Sequence, residues 1–191
     1  MVMTQSRMLA LGTRAPDFRL PDVVSGNKLS LSDIPPGRGL MVAFICNHCP
    51  FVKLILDGLV QYAHDYAPRG IASVAISSND VGSYPEDSPQ AMATLARARH
   101  FGFPYLYDAT QAVAKSYQAV CTPDLFLFDG ERKLFYRGQF DGARPRNGVA
   151  VTGGDLRSAS DALLQGKTVD QQLPSVGCNI KWLSGNEPGP Q

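Results

Sequence analysis

Residues 40–45, Leu-Met-Val-Ala-Phe-Ile, form an unbroken apolar run. A strand covered on both faces reads this way, because both sides of its pleat need apolar side chains. After Pro50 the period changes: Val52, Ile55, Leu56, Leu59, Val60 and Ala63 recur at helical spacing. Pro50 suits the first turn of such a helix, where its missing N–H costs nothing. Gly70, behind Ala67-Pro68, marks the stop. Residues 71–77 repeat the buried-strand pattern, and residues 79–89, rich in Asp, Gly, Pro and Ser, read as a loop. The pattern then predicts a helix over 90–100, a short strand over 105–107 and a short helix over 109–117. Residues 125–128 and 133–136 read as strands joined at Asp129-Gly130, a hairpin signal. A last helix spans 154–164 and stops at Gly166, and the tail over 174–191 reads as irregular. Upstream of the apolar run, residues 12–34 alternate short apolar pieces with Pro, Gly and Asn, which predicts a β-hairpin and a turn.

Strands that alternate with helices imply an α/β fold: a mixed central sheet with a parallel part and helices on both faces. The last two strands add an antiparallel edge. The expected organisation is one domain over residues 1–191, with an N-terminal β-hairpin and an insertion after the second core strand.

Composition narrows the class. The 191 residues are 44% apolar and 18% charged, as in globular chains. A net charge of +1 gives no footprint for nucleic acid or a membrane surface. No apolar run approaches the ~18 residues a membrane helix needs, and the first residues carry no signal-peptide pattern. The expected location is the cytoplasm. Four cysteines are too few for a disulfide scaffold, and in a reducing compartment they point to redox or metal chemistry.

Cys46-Asn47-His48-Cys49 sits where a buried strand runs into a helix. Two cysteines three apart in a first helical turn can close a disulfide. The unpaired N–H groups and dipole of a helix N-terminus stabilise a thiolate, lowering a cysteine pKa from ~8.5 to roughly 3.5–7.5. Cys46, nearer the open end, is expected to be the nucleophile, and Cys49 the resolving thiol. His48 would favour the Cys46 thiolate through its cation. A second element, Cys121-Thr122-Pro123-Asp124, precedes a strand, and its proline is a candidate for a cis bond.

With these residues the chain resembles the thioredoxin superfamily, in its redoxin branch of alkyl hydroperoxide reductase and thiol-specific antioxidant proteins. Within that branch it is similar to a peroxiredoxin-like subgroup with a CxxC motif. The resemblance rests on Gly12-x-x-Ala15-Pro16-Asp17-Phe18, CNHCPFVK from Cys46, residues 84–89, Tyr105-Leu-Tyr-Asp108, Cys121-Thr-Pro-Asp-x-Phe-x-Phe-Asp129, Tyr136-Arg-Gly-Gln139 and Gly177-Cys-Asn-Ile-Lys-Trp182. It covers about residues 10–183 and implies a thioredoxin-like fold, with a cis Pro123 beside the cysteine pair. The sequence departs from peroxiredoxins at two positions: Val42 and Cys46 stand where their motif has Pro and Thr.

The expected function is thiol–disulfide exchange through Cys46 and Cys49, on protein or small-molecule disulfides. Asn47, His48, Cys121, Thr122 and Pro123 are the supporting or substrate-binding residues, and no cofactor or metal is required. The rivals are a thiol peroxidase and a non-catalytic redox-sensing or metal-clip module. Cys121 is expected to be partly reachable and Cys178 shielded, both as free thiols. Ile180 and Trp182 are expected to pin the tail, and residues 84–89 to form a structured insertion that lines a groove.

Overall fold

The computed structural model describes residues 3–169 and 171–189. Its centre is a five-stranded sheet. Gly39–Phe44 (β4) lies between Ile71–Ser77 (β5), its parallel neighbour, and Asp124–Asp129 (β8), its antiparallel one. Tyr105–Tyr107 (β6) extends the parallel side and Leu134–Gly138 (β9) the antiparallel side. Every residue of β4 is buried, which explains the unbroken apolar run. Met41 and Ala43 point into one core layer, while Leu40, Val42 and Phe44 point into the other. Such alternation is the period of a pleated strand with no wet face.

Pro50–Tyr66 (α1) covers the first face together with Pro89–Ala98 (α2) and Gly154–Leu164 (α4). The opposite face is covered by Ala112–Ser116 (α3) and by the hairpin of Arg19–Pro21 (β2) with Lys28–Ser30 (β3). The expected hairpin, mixed sheet and flanking helices are therefore all present. The expected insertion after β5 carries a turn of 3-10 helix at Pro85–Asp87 and then α2, capped by the Ser88 hydroxyl.

Two expectations need correction. The tail is not irregular throughout: Val176–Asn179 (β10) is the middle strand of a second sheet, between Met3–Gln5 (β1) and Cys121–Thr122 (β7). All three strands are very short and join distant parts of the chain, so no local pattern announces them. Gly177 reads as a breaker but serves a close approach. A Cβ there would lie 2.0 Å from the Thr122 carbonyl oxygen. The helix after the cysteine motif also starts late. Pro50 is its first residue and Cys49 its N-cap, so the motif lies in the approach to α1 and not within its first turn.

Among the flanking expectations, Ile180 is fully buried and Trp182 packs against the same core layer, which pins the tail as anticipated. Asp124 meets Arg137 at 3.1 Å with both side chains fully buried.

Gly177→Ala should lower stability by about 1–3 kcal/mol, the usual cost of forcing added volume into a packed site. The atom it meets is backbone, which cannot swing aside. Gly142→Ala, whose Cβ would have nothing nearer than 3.9 Å, should be close to neutral. Urea midpoints of the two variants check the contrast.

Candidate active site

The strand β4 delivers Cys46 to the edge of the sheet, and the N-cap of α1 holds Cys49. Between them the chain turns through Asn47 and His48. Across from both cysteines lies the loop that precedes β8, whose Thr122–Pro123 peptide is cis, as anticipated. Thr122 touches both thiols: its hydroxyl is 3.4 Å from Cys46 Sγ and its carbonyl oxygen 3.2 Å from Cys49 Sγ. The structure thus brings Cys46, Cys49 and Thr122 into one cluster. All four cysteines are free thiols and all are buried.

Cys121, expected to be partly reachable, is fully buried. Successive side chains on an extended segment point to opposite sides. Thr122 takes the side of the cysteine pair, and the Cys121 thiol is left to donate to the Pro123 carbonyl at 3.6 Å. Burial pushes its pKa well up, and the neighbouring Asp124 carboxylate adds to the effect.

The acidities of the motif differ from the expected order. Cys49 is pushed down to about 5, chiefly because the Cys46 thiol donates to it. The Cys178 thiol, the Val52 N–H at the start of α1 and the Cys178 N–H further stabilise its charge against the cost of burial. Cys46 is pushed well up by that same shared proton, by burial and by the Asp87 carboxylate, against a weaker pull from the Thr122 hydroxyl. The late start of α1 adds to this: Cys49 is the N-cap, so the Val52 N–H of the first turn acts on that sulfur. Of the two, Cys49 is the more acidic.

Asp87 is the residue that sequence reasoning missed. It is fully buried and comes from the insertion after β5. Its carboxylate accepts the backbone N–H of Asn47 at 2.7 Å and of His48 at 3.2 Å. It also accepts the Asn79 amide at 2.7 Å and meets His48 Nδ1 at 2.6 Å. Tyr84 stacks on the His48 ring with centroids 4.9 Å apart. The Asn47 side chain receives the Tyr105 hydroxyl at 3.2 Å and donates to the Glu86 carbonyl at 2.9 Å. His48 is therefore clamped by the insertion. Its expected cationic support for Cys46 is opposed by the carboxylate beside it. Nothing about a lone acid in a loop of Asp, Pro and Ser signals this from sequence.

Ligand-type atoms of Cys46, His48 and Asp87 lie within 4.8 Å of one another. The Asp87 oxygens are already engaged by four hydrogen-bond partners, and this favours a brace over a metal clip. Cys46 and Asn47 also line a cavity of about 210 Å³ with Val52, Lys53, Leu56, Leu95 and Arg99. This cavity lies alongside α1, whereas the insertion expected to line a groove packs onto the motif itself.

Cys178 is a shielded free thiol, as expected, and its Sγ lies 3.0 Å from Cys49 Sγ, a neighbour its spacing did not announce.

Comparison with known proteins agrees with this geometry. Residues 11–137 match the AhpC/TSA family. The Mycobacterium tuberculosis protein "Putative peroxiredoxin Rv2521" is 32% identical over 117 residues, 61% of this chain and 69% of that one. Thiol-disulfide oxidoreductase ResA of Bacillus thuringiensis subsp. konkukian is 21% identical over 131 residues, 69% and 70% of the two chains. The crystal structure of hypothetical protein SMc02350 from Sinorhizobium meliloti 1021 superposes with a TM-score of 0.93 at 54% identity, over 95% of this chain and all of that one. Peroxidoxin BcpB of Mycobacterium tuberculosis shares the thioredoxin-like fold with a TM-score of 0.61 at 20% identity, over 83% and 98% of the two chains. No helix among the described residues is long and apolar enough to cross a membrane.

Thiolate absorbance of the reduced protein should titrate near pH 5, present above it and lost as the pH falls through it. Cys49→Ser should remove that step, and Cys46→Ser, which takes away the main donor, should move it upward. Asp87→Asn placed in the Cys49→Ser background should lower the pH at which Cys46 ionises. An unchanged Cys46 midpoint would mean that Asp87 acts only as a brace.

Proposed function

The chain belongs to the AhpC/TSA family, and from that membership we propose that it is a thiol–disulfide oxidoreductase working through Cys46 and Cys49. The observation that carries the proposal is the placing of two buried cysteines of one motif against Thr122, whose peptide with Pro123 is cis. Cys46 faces the cavity and Cys49 does not, so Cys46 meets the substrate. As Cys46 Sγ attacks one sulfur of a substrate disulfide, its proton passes to the Cys49 thiolate. The substrate S–S bond breaks and a mixed disulfide forms on Cys46. Cys49 gives the proton to the departing thiolate, then attacks Cys46 Sγ. The Cys46–Cys49 bond closes, the second substrate thiol leaves, and two electrons have moved from protein to substrate. Reversed, the same steps oxidise a dithiol. Asn47, Thr122 and Pro123 border the reacting sulfurs and position the partner, a protein or small-molecule disulfide. No cofactor enters these steps.

A second reading, a thiol peroxidase, is supported by the acidic Cys49 at the N-cap of α1 and by the likeness to the mycobacterial protein named a peroxiredoxin. Val42 and Cys46 replace the Pro and Thr that serve peroxiredoxins, which weighs for disulfide exchange.

The reduced protein should reduce a model disulfide stoichiometrically, and Cys46→Ser should slow this sharply without unfolding the chain, because the reaction must then start at Cys49, which does not line the cavity. Cys49→Ser should instead accumulate substrate on Cys46. The potential of the couple separates directions: near about −270 mV it would act as a reductant, and near about −120 mV as an oxidant. Hydrogen peroxide consumption that outpaces disulfide reduction would select the peroxidase reading.

A further inference from the structure

The mechanism above uses two sulfurs, yet Cys49 has two sulfur neighbours. Cys178 Sγ lies 3.0 Å from it, on the side away from the cavity. The contact is built into the fold. Cys178 sits on β10, directly opposite Thr122 in the register of the second sheet. Gly177 allows that strand to press onto the Thr122 carbonyl. Cys178 is buried and, unlike Cys46, does not line the cavity, so no substrate reaches it from there. The β10 segment also presents its Cys178 N–H to Cys49. A buried thiol that served only as packing would have no need of a sulfur neighbour on the one reactive thiolate of the site.

We propose that Cys178 is a third redox thiol, which exchanges with Cys46 for Cys49 and so closes an internal Cys49–Cys178 disulfide. This rests on the reading of Cys46 and Cys49 as a redox pair. In the step, Cys178 Sγ attacks Cys49 Sγ within the Cys46–Cys49 disulfide. The Cys49–Cys178 bond forms and the Cys46–Cys49 bond breaks. Cys46 leaves as the thiolate and takes the proton that Cys178 gives up. No electrons are gained or lost, so no outside oxidant is needed. The outcome is that oxidation is stored in the interior, while the cavity-facing Cys46 is returned as a thiol.

The electrostatics favour this order of events. While Cys49 carries its charge, Cys178 is held up at about 12, by burial first and then by its contact with that thiolate. Once Cys49 is bonded to Cys46 the charge is gone, and both contributions from Cys49 go with it. Cys178 thus becomes easier to ionise when there is a disulfide for it to attack. Cys121, fully buried and turned toward the Pro123 carbonyl, takes no part.

The test treats full-length Cys46→Ser with oxidised glutathione, followed by thiol counting under denaturing conditions and disulfide mapping. That variant retains three of the four cysteines. Over a long incubation glutathione joins Cys49, more slowly than it would join the cavity-facing Cys46, and Cys178 should then displace it. The expected product has a Cys49–Cys178 bond, no bound glutathione and a single free thiol, Cys121. A lasting glutathione adduct on Cys49 with two free thiols would overturn the proposal, as would a Cys178 that stays alkylatable after oxidation. Cys46→Ser combined with Cys178→Ser should retain the adduct, which shows that the first step still occurs. Cys178→Ser alone should still close the Cys46–Cys49 bond on a model disulfide. Loss of that bond would count against the two-cysteine reading itself, whereas its survival alongside a trapped adduct in Cys46→Ser would count against the third thiol only.

Discussion

The site depends on one backbone contact: β10 lying on the residues just before Pro123. At Gly177 the two chains are so close that no side chain fits between them. The contact holds the Thr122 carbonyl and hydroxyl over the two motif cysteines and sets Cys178 against Cys49. It also joins the ends of the chain, since β1, β10 and β7 come from residues far apart in sequence. Closing such a long loop is costly in entropy. Burial of Ile180 and packing of Trp182 against the core supply the compensating apolar burial. Stability and chemistry therefore share the same few residues, so damage to the tail is damage to the site.

Around that contact the charges are arranged with little slack. Four donors converge on Cys49, while a carboxylate stands beside Cys46. An unpaired buried carboxylate would be expensive. Asp87 is satisfied by two backbone N–H groups, the Asn79 amide and His48. Asn79 in turn accepts the Lys181 N–H at 2.8 Å, so the same network ties the insertion to the tail beyond β10. The insertion is a clamp on the motif loop, and its negative charge helps decide which sulfur holds the proton.

What the sequence makes legible is whatever has a local period or a named spacing. The run in β4, the stripe of α1 and the Asp129-Gly130 turn each declare themselves within a few residues. So do Cys46, Cys49 and the proline at position 123. What stays hidden is set by tertiary pairing. The β10 strand is four residues long with a glycine inside it, and only its partners make it a strand. Asp87 looks like one more loop acid until the turn around it is closed. The ordering of the two thiols turned on where α1 begins, a boundary that Pro50 allowed but did not settle. Cys178 carried a signal in its place within the Gly177-to-Trp182 match, but nothing in its spacing linked it to Cys49.

The alternation of the strand around Thr122 explains why three of the four cysteines lie together. Cys121 and Cys178 sit in the same small sheet, with Cys178 opposite Thr122 and Asn179 opposite Cys121. Residues opposite each other in an antiparallel pair point to the same face, and their chain neighbours point to the other. Thr122 and Cys178 therefore share the face that looks at Cys49, and Cys121 is turned away from it. A shift of β10 by one residue in that register would turn Cys178 away from Cys49. The close approach at Gly177 fixes the register, because no other residue of the strand could pass the Thr122 carbonyl at that distance. One glycine thus decides which thiol stands behind the motif cysteines.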